Sequence, residues 1–88
     1  MISSIPDMDD FVARTPQQLG AILRGYRGER KLTQRAVGTA TGLPQGAISE
    51  IESDPTTTSL SRIYRILAAL DVELVIRPRK SGDRKTEW

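Results

Sequence analysis

Apolar residues recur at helical spacing in four stretches of this chain and at alternating spacing in a fifth. The first stripe is Leu19, Ile22, Leu23 and Tyr26. It follows Thr15-Pro16-Gln17-Gln18, a strong helix start with a Thr cap, Pro at the first helical position and Gln at the third, the pattern of a capping box. Gly25 and Gly28 weaken the last turns by about 1 kcal/mol each relative to Ala, so helix 1 is expected to end near Glu29 or Arg30. Thr33 is a good cap for a short second helix starting at Gln34, and Gly42 breaks that helix with a tight turn. A third helix is expected from about Gln45 to Ser53, because Pro55 disfavours helical geometry at Asp54. Thr56 to Ser59 offer caps for a fourth, whose stripe is Leu60, Ile63, Leu67 and Leu70 with Ile66 beside it. Val72, Leu74 and Ile76 alternate with Glu73 and Val75 and read as a strand ended by Pro78.

The segment TQRAVGTATGLPQGAISEIES, residues 33–53, carries the most specific pattern. Val37, Leu43, Ile48 and Ile51 fall where two crossing helices would bury them, and Gln34, Gln45 and Ser49 fall where side chains face outward. A helix-turn-helix needs this arrangement, with one helix bracing on the DNA backbone while the second lies in the major groove.

The strand poses a problem. A single strand exposes a row of unpaired N–H and C=O groups. Two copies pairing through Val72, Leu74, Val75 and Ile76 across a two-fold axis would satisfy both edges, and a dimer suits two half-sites. The alternative is an extended segment packed on the helices without a ladder. The expected organisation is a flexible N-terminal arm at 1–14, a DNA-binding and dimerisation domain at 15–78, and a polar, disordered tail at 79–88.

Composition narrows the function. With 88 residues the chain is one small domain, near the size at which a partner subunit helps. It has no cysteine, which excludes disulfides and thiolate metal sites, and no histidine, which removes the usual general base and the commonest metal ligand. An enzyme is not expected, nor a cofactor, a metal or a small-molecule substrate. No apolar run is long enough to cross a bilayer and no signal-peptide pattern is present, so no membrane association is expected and a cytoplasmic location is. The net charge is only +2, but residues 24–35 hold Arg24, Arg27, Arg30, Lys31 and Arg35 against Glu29, a local balance of +4. Such a cluster is either a solvated helix face or an electrostatic footprint for phosphate, and the adjacent helix-turn-helix pattern favours the second.

Residues 16–70 resemble the Cro/C1-type, or Xre-type, helix-turn-helix family at Arg27, Leu32-Thr33-Gln34, Val37, Gly42, Ile48-Ser49 and Glu52. Within it the chain is similar to HipB-type antitoxins, short chains with four helices, one C-terminal strand and a tail carrying Glu-Trp, as Glu87-Trp88 does here. The resemblance implies an all-α, lambda-repressor-like four-helix bundle with one C-terminal β-strand pairing across a homodimer. It also implies an autoregulating repressor that binds double-stranded operator DNA and neutralises a HipA-like kinase toxin. It suggests that Arg27 and Glu52 pair between helices 1 and 3 as a structural ion pair. Several positions depart from the family. Gly38 stands where Ala is usual and Thr41 where an aliphatic is usual, so helix 2 should be less stable than average. Lys31 replaces a glycine that often ends helix 1, and Pro44 replaces a polar residue near the recognition helix and leaves only apolar contact there.

The candidate contacts sort by role. Gln34, at the start of helix 2, can meet a phosphate together with the helix N-terminus, beside the capping Thr33, and Lys31 and Arg35 add charge to the backbone contact. Gln45 can pair bidentately with adenine, Ser49 can donate or accept, and Gly46 permits close approach to base edges. For Gln45 and Ser49 the competing reading is an ordinary solvated surface. Trp88 is the sole tryptophan and follows a polar stretch, which makes it a candidate anchor in a pocket on the toxin or an unremarkable exposed residue. A phage-type or housekeeping repressor without a toxin, or a protein-binding adaptor, fits the same sequence less closely.

Overall fold

In the computed structural model, which describes residues 11–79, the capping signals act as their chemistry requires. Thr15 is extended and its hydroxyl accepts from the Gln18 N–H, opening α1 (Pro16–Glu29) with Pro at its first position. The Gln18 carboxamide reaches back to the N–H of Arg14, one residue before the cap. Thr33 caps α2 (Gln34–Thr41) through the Ala36 N–H, and Gly42 ends it in the left-handed region at φ 77°. α3 (Gln45–Ser53) starts at Pro44 without a side-chain cap and ends at the extended Asp54. Asp54 then caps a 3₁₀ turn at Pro55–Thr57, and Ser59 caps α4 (Leu60–Leu70). The expectations for residues 1–10 of the arm and 80–88 of the tail, Trp88 included, lie outside the described residues.

The four helices share one core of Leu23, Val37, Leu43, Ile48, Ile51, Ile63, Ile66, Leu67 and Leu70, with Leu19, Tyr26, Leu32, Ala47 and Val72 packed against it. Every helix contributes, so none is stable alone and each relies on burying its stripe. The stripe of α4 is offset from the expected one. Ile66 is buried inside it, whereas Leu60, one turn before Ile63, is 64% exposed. The helix begins there, and its first turn runs past the edge of the core.

Helix 2 also departs from expectation. Gly38 has a packing role that propensity does not show, because a Cβ there would lie 2.7 Å from the Leu43 carbonyl oxygen. Its hydrogen lets the chain fold back after Gly42 at a distance no other residue allows. Thr41 is buried, and its hydroxyl donates to the carbonyls of Val37 at 2.8 Å and Gly38 at 3.2 Å, so its polar atom is satisfied within the helix.

After α4, Asp71 turns the chain in the left-handed region, and residues 72–79 form no ladder with any other part of the chain among the described residues. Val72 is half-buried, while Leu74, Val75 and Ile76 are exposed, Ile76 by 90%. Among the described residues no helix is long and apolar enough to cross a membrane.

Candidate nucleic-acid interface

The turn between α2 and α3 sets the geometry of the candidate interface. The N–H groups of Gly42 and Leu43 both donate to the Gly38 carbonyl, at 2.8 and 3.0 Å, which closes the turn tightly. Pro44 follows, and its carbonyl accepts from Ala47 at 3.0 Å and Ile48 at 3.3 Å to start α3. Ile48 and Ile51 are buried and fix the inner face of α3. The opposite face, with Pro44, Gln45, Gly46 and Ser49, is exposed. A Cβ at Gly46 would meet nothing within 4 Å, so internal packing gives no reason for a glycine there.

The structure brings Arg27, Glu52 and Gln34 together. Arg27 Nε donates to Glu52 Oε2 at 2.6 Å, Nη2 to Glu52 Oε1 at 3.2 Å, and Nη1 to the Leu32 carbonyl at 2.9 Å. Gln34 Nε2 also donates to Glu52 Oε1, at 3.2 Å. The ion pair is largely withdrawn from water, with side-chain exposures of 17% for Arg27 and 7% for Glu52. Both oxygens of the carboxylate are satisfied, which a buried charge requires. Gln34 is therefore half-buried and tied to α3, not wholly outward as its position in the sequence suggests.

The basic cluster divides by role. Arg27 is committed to Glu52. Arg30 caps the far end of α4, its Nε donating to the Leu70 carbonyl at 2.8 Å, and its guanidinium lies 5.6 Å from the centre of the Tyr26 ring. Phe11 meets the same ring edge-on at 5.7 Å. Lys31 and Arg35 are exposed on either side of the start of α2, as is Thr33, whose hydroxyl already accepts from Ala36. Lys31 sits at φ 59°, the left-handed conformation that glycine adopts without strain. The local balance of +4 thus overstates what can reach phosphate.

Sequence reasoning missed several of these partners. Gln34 with Glu52, Arg30 with the Leu70 carbonyl and Gln17 with Asp54 are contacts between elements far apart in the chain, which no local pattern announces. Asp54 has a carboxyl held below its ordinary value, first by the Thr56 hydroxyl at 2.8 Å, then by the Thr56 N–H, with a weaker contribution from Gln17.

Comparison with known proteins gives this geometry its family. Residues 23–76, more than half of the chain, match the family model described as helix-turn-helix. The chain is 36% identical over 58 residues to an uncharacterised HTH-type transcriptional regulator, y4dL, of Sinorhizobium fredii (strain NBRC 101917 / NGR234), a match that spans 66% of this chain but only 30% of that regulator. It is 25% identical over 80 residues to the antitoxin HipB of Escherichia coli (strain K12), covering 84% of this chain and 91% of HipB. Its fold is similar to a chain in the structure of a HipA-HipB-O2-O3 complex, with a TM-score of 0.76 at 25% identity over 81% of this chain and 100% of that one. The chain belongs to the Xre-type helix-turn-helix family of DNA-binding transcriptional regulators and resembles the HipB antitoxins.

Proposed function

We propose that this chain is a dimeric repressor of its own operon and the antitoxin of a HipA-like kinase toxin. The observation that carries the DNA part is the outer face of α3. Its inner face is fixed by Ile48 and Ile51, while Pro44, Gln45, Gly46 and Ser49 stand exposed with a glycine that internal packing does not require. A glycine in the first turn of α3 is a poorer helix former than Ala, and close approach of a base edge supplies the compensating role. Gln45 and Ser49 read bases, Pro44 makes apolar contact, and Gln34, Thr33, Arg35 and Lys31 hold phosphates.

The dimer rests on the exposed Leu74, Val75 and Ile76 in a segment that forms no strand ladder among the described residues. Pairing of two such segments, with Val72 at their base, buries those side chains and fills the backbone donors and acceptors together. The toxin partnership rests on the likeness to HipB along most of both chains. Trp88 serves as an anchor on that toxin, a modest contact that gains from being tethered to the folded dimer.

Duplex DNA from upstream of the chain's own gene tests the first part. Binding should be selective over random duplex and should weaken steeply as salt rises; equal binding to both duplexes rejects the repressor reading. Deletion of residues 81–88 should weaken binding to a kinase encoded beside this gene and leave DNA binding intact. A repressor without a toxin is the second reading, since the helix-turn-helix match at residues 23–76 carries the DNA part alone. The absence of a kinase-like gene next to this one would select it.

A further inference from the structure

Glu52 does more than balance the charge of Arg27. We propose that it is the positioning residue for Gln34: by accepting one N–H of the Gln34 amide, it fixes where the second N–H is presented to a DNA phosphate. The inference rests on the DNA-binding reading above.

A carboxylate only accepts hydrogen bonds, whereas a carboxamide has a donor end and an acceptor end. Facing Glu52, Gln34 must turn its Nε2 inward, and that atom donates to Oε1 at 3.2 Å. The amide cannot flip without opposing two acceptors inside a site where Glu52 is 7% exposed. The second N–H of Nε2 is then left to point away from the carboxylate, in a fixed direction at the first residue of α2.

Glu52 is itself held from two sides. Arg27 grips both of its oxygens and donates in addition to the carbonyl of Leu32, in the segment that leads into α2. The network therefore joins α1, α2 and α3 through one carboxylate. Arg27 also neutralises Glu52, so an acidic group this near α2 does not repel a phosphate. An unrestrained glutamine must be ordered on binding, at a cost in rotamer freedom. Here that ordering is complete before DNA arrives, which is how preorganisation strengthens a contact.

The test is a double-mutant cycle on Gln34→Ala and Glu52→Gln. The probe is a duplex enriched from a randomised pool by the wild-type protein, with a scrambled duplex as control. The glutamine at 52 keeps the shape but has one acceptor oxygen in place of two, so it loosens the grip of Arg27 and no longer dictates the orientation of Gln34. Each single change should lower affinity by about tenfold, and the double variant should lose no more than Gln34→Ala alone. Losses that multiply in the double variant, or an unaffected Glu52→Gln protein that melts like wild type, overturn the proposal. A second measurement needs no substitution. Nitrogen relaxation of the Gln34 side-chain amide in the free protein should be as restrained as the backbone of α2, and a freely mobile amide overturns it too. Selective binding with multiplying losses removes the positioning role alone, whereas failure of any duplex to enrich removes the DNA-binding reading with it.

Discussion

Gly20 lies against the backbone of Glu52: a Cβ on it would sit 2.5 Å from the Glu52 carbonyl oxygen and 2.9 Å from that of Ile51. The two helices α1 and α3 thus cross at backbone contact. Arg27 stands seven residues, two turns, further along α1. The close crossing is what lets its guanidinium reach the Glu52 carboxylate at 2.6 Å.

Replacing Gly20 with Ala should therefore lower stability by about 1–3 kcal/mol, since the new methyl meets backbone that cannot rotate away. Replacing Gly25, whose Cβ would meet nothing within 4 Å, should raise stability by up to about 1 kcal/mol through helix propensity alone. Urea unfolding of the two variants checks the contrast, and stabilisation by both would show that α1 and α3 do not cross so closely.

Lys31 combines a strained backbone with a charge proposed to face DNA. At φ 59° it carries a side chain where glycine is at ease. Lys31→Gly should raise the thermal midpoint, corresponding to about 0.5–1 kcal/mol once the greater freedom of unfolded glycine is subtracted. The same variant should bind all duplexes more weakly, with a shallower salt dependence. A lower midpoint would contradict the left-handed geometry at this residue.

The carboxyl of Asp54 titrates below its ordinary value because the Thr56 hydroxyl, the Thr56 N–H and Gln17 favour its charged form. A lowered folded-state value means that the unfolded chain binds the proton more readily. The stabilisation is therefore complete above about pH 4 and is lost as pH falls through the lower folded value. Wild type should exceed Asp54→Asn in stability at neutral pH, and the gap should close in acid. A gap that is unchanged from about pH 6 to about pH 2 would remove the carboxylate from this role.

The two proposed kinds of DNA contact differ in their mutational signatures. Gln45→Ala should cost about 1–3 kcal/mol at one base position and leave binding to random duplex unchanged. Arg35→Ala should weaken binding to every sequence and reduce the salt slope. Titrations in which neither variant differs from wild type would mean that the outer face of α3 and the start of α2 do not meet DNA.

The exposed row at Leu74, Val75 and Ile76 should make wild type a homodimer at micromolar concentration by sedimentation. Leu74→Pro removes a backbone donor and bends a strand, and should leave monomers whose helices keep their circular dichroism. A monomeric wild type would sink the dimer.

The elements of this protein were largely determined by local sequence. Thr15, Thr33 and Gly42 bound their helices through hydrogen bonds and backbone preferences that act within a few residues, and Val37, Leu43, Ile48 and Ile51 mark the buried side of the helix-turn-helix by spacing alone. The family resemblance drawn from those residues extends as far as the pairing of Arg27 with Glu52. What only the tertiary structure decided is how the polar groups divide between interior and surface. Gln34 turns toward Glu52, and Arg27 and Arg30 are engaged by Glu52 and by the end of α4, so part of the basic cluster is committed to contacts within the fold. Gly38 looks like a defect by propensity, yet it is the residue that allows the Leu43 carbonyl to return over α2. Leu60 lies on the apolar stripe of α4, yet the core ends before reaching it. Each of these outcomes depends on which distant backbone or side chain arrives at the site, and periodicity along a single helix holds no information about that.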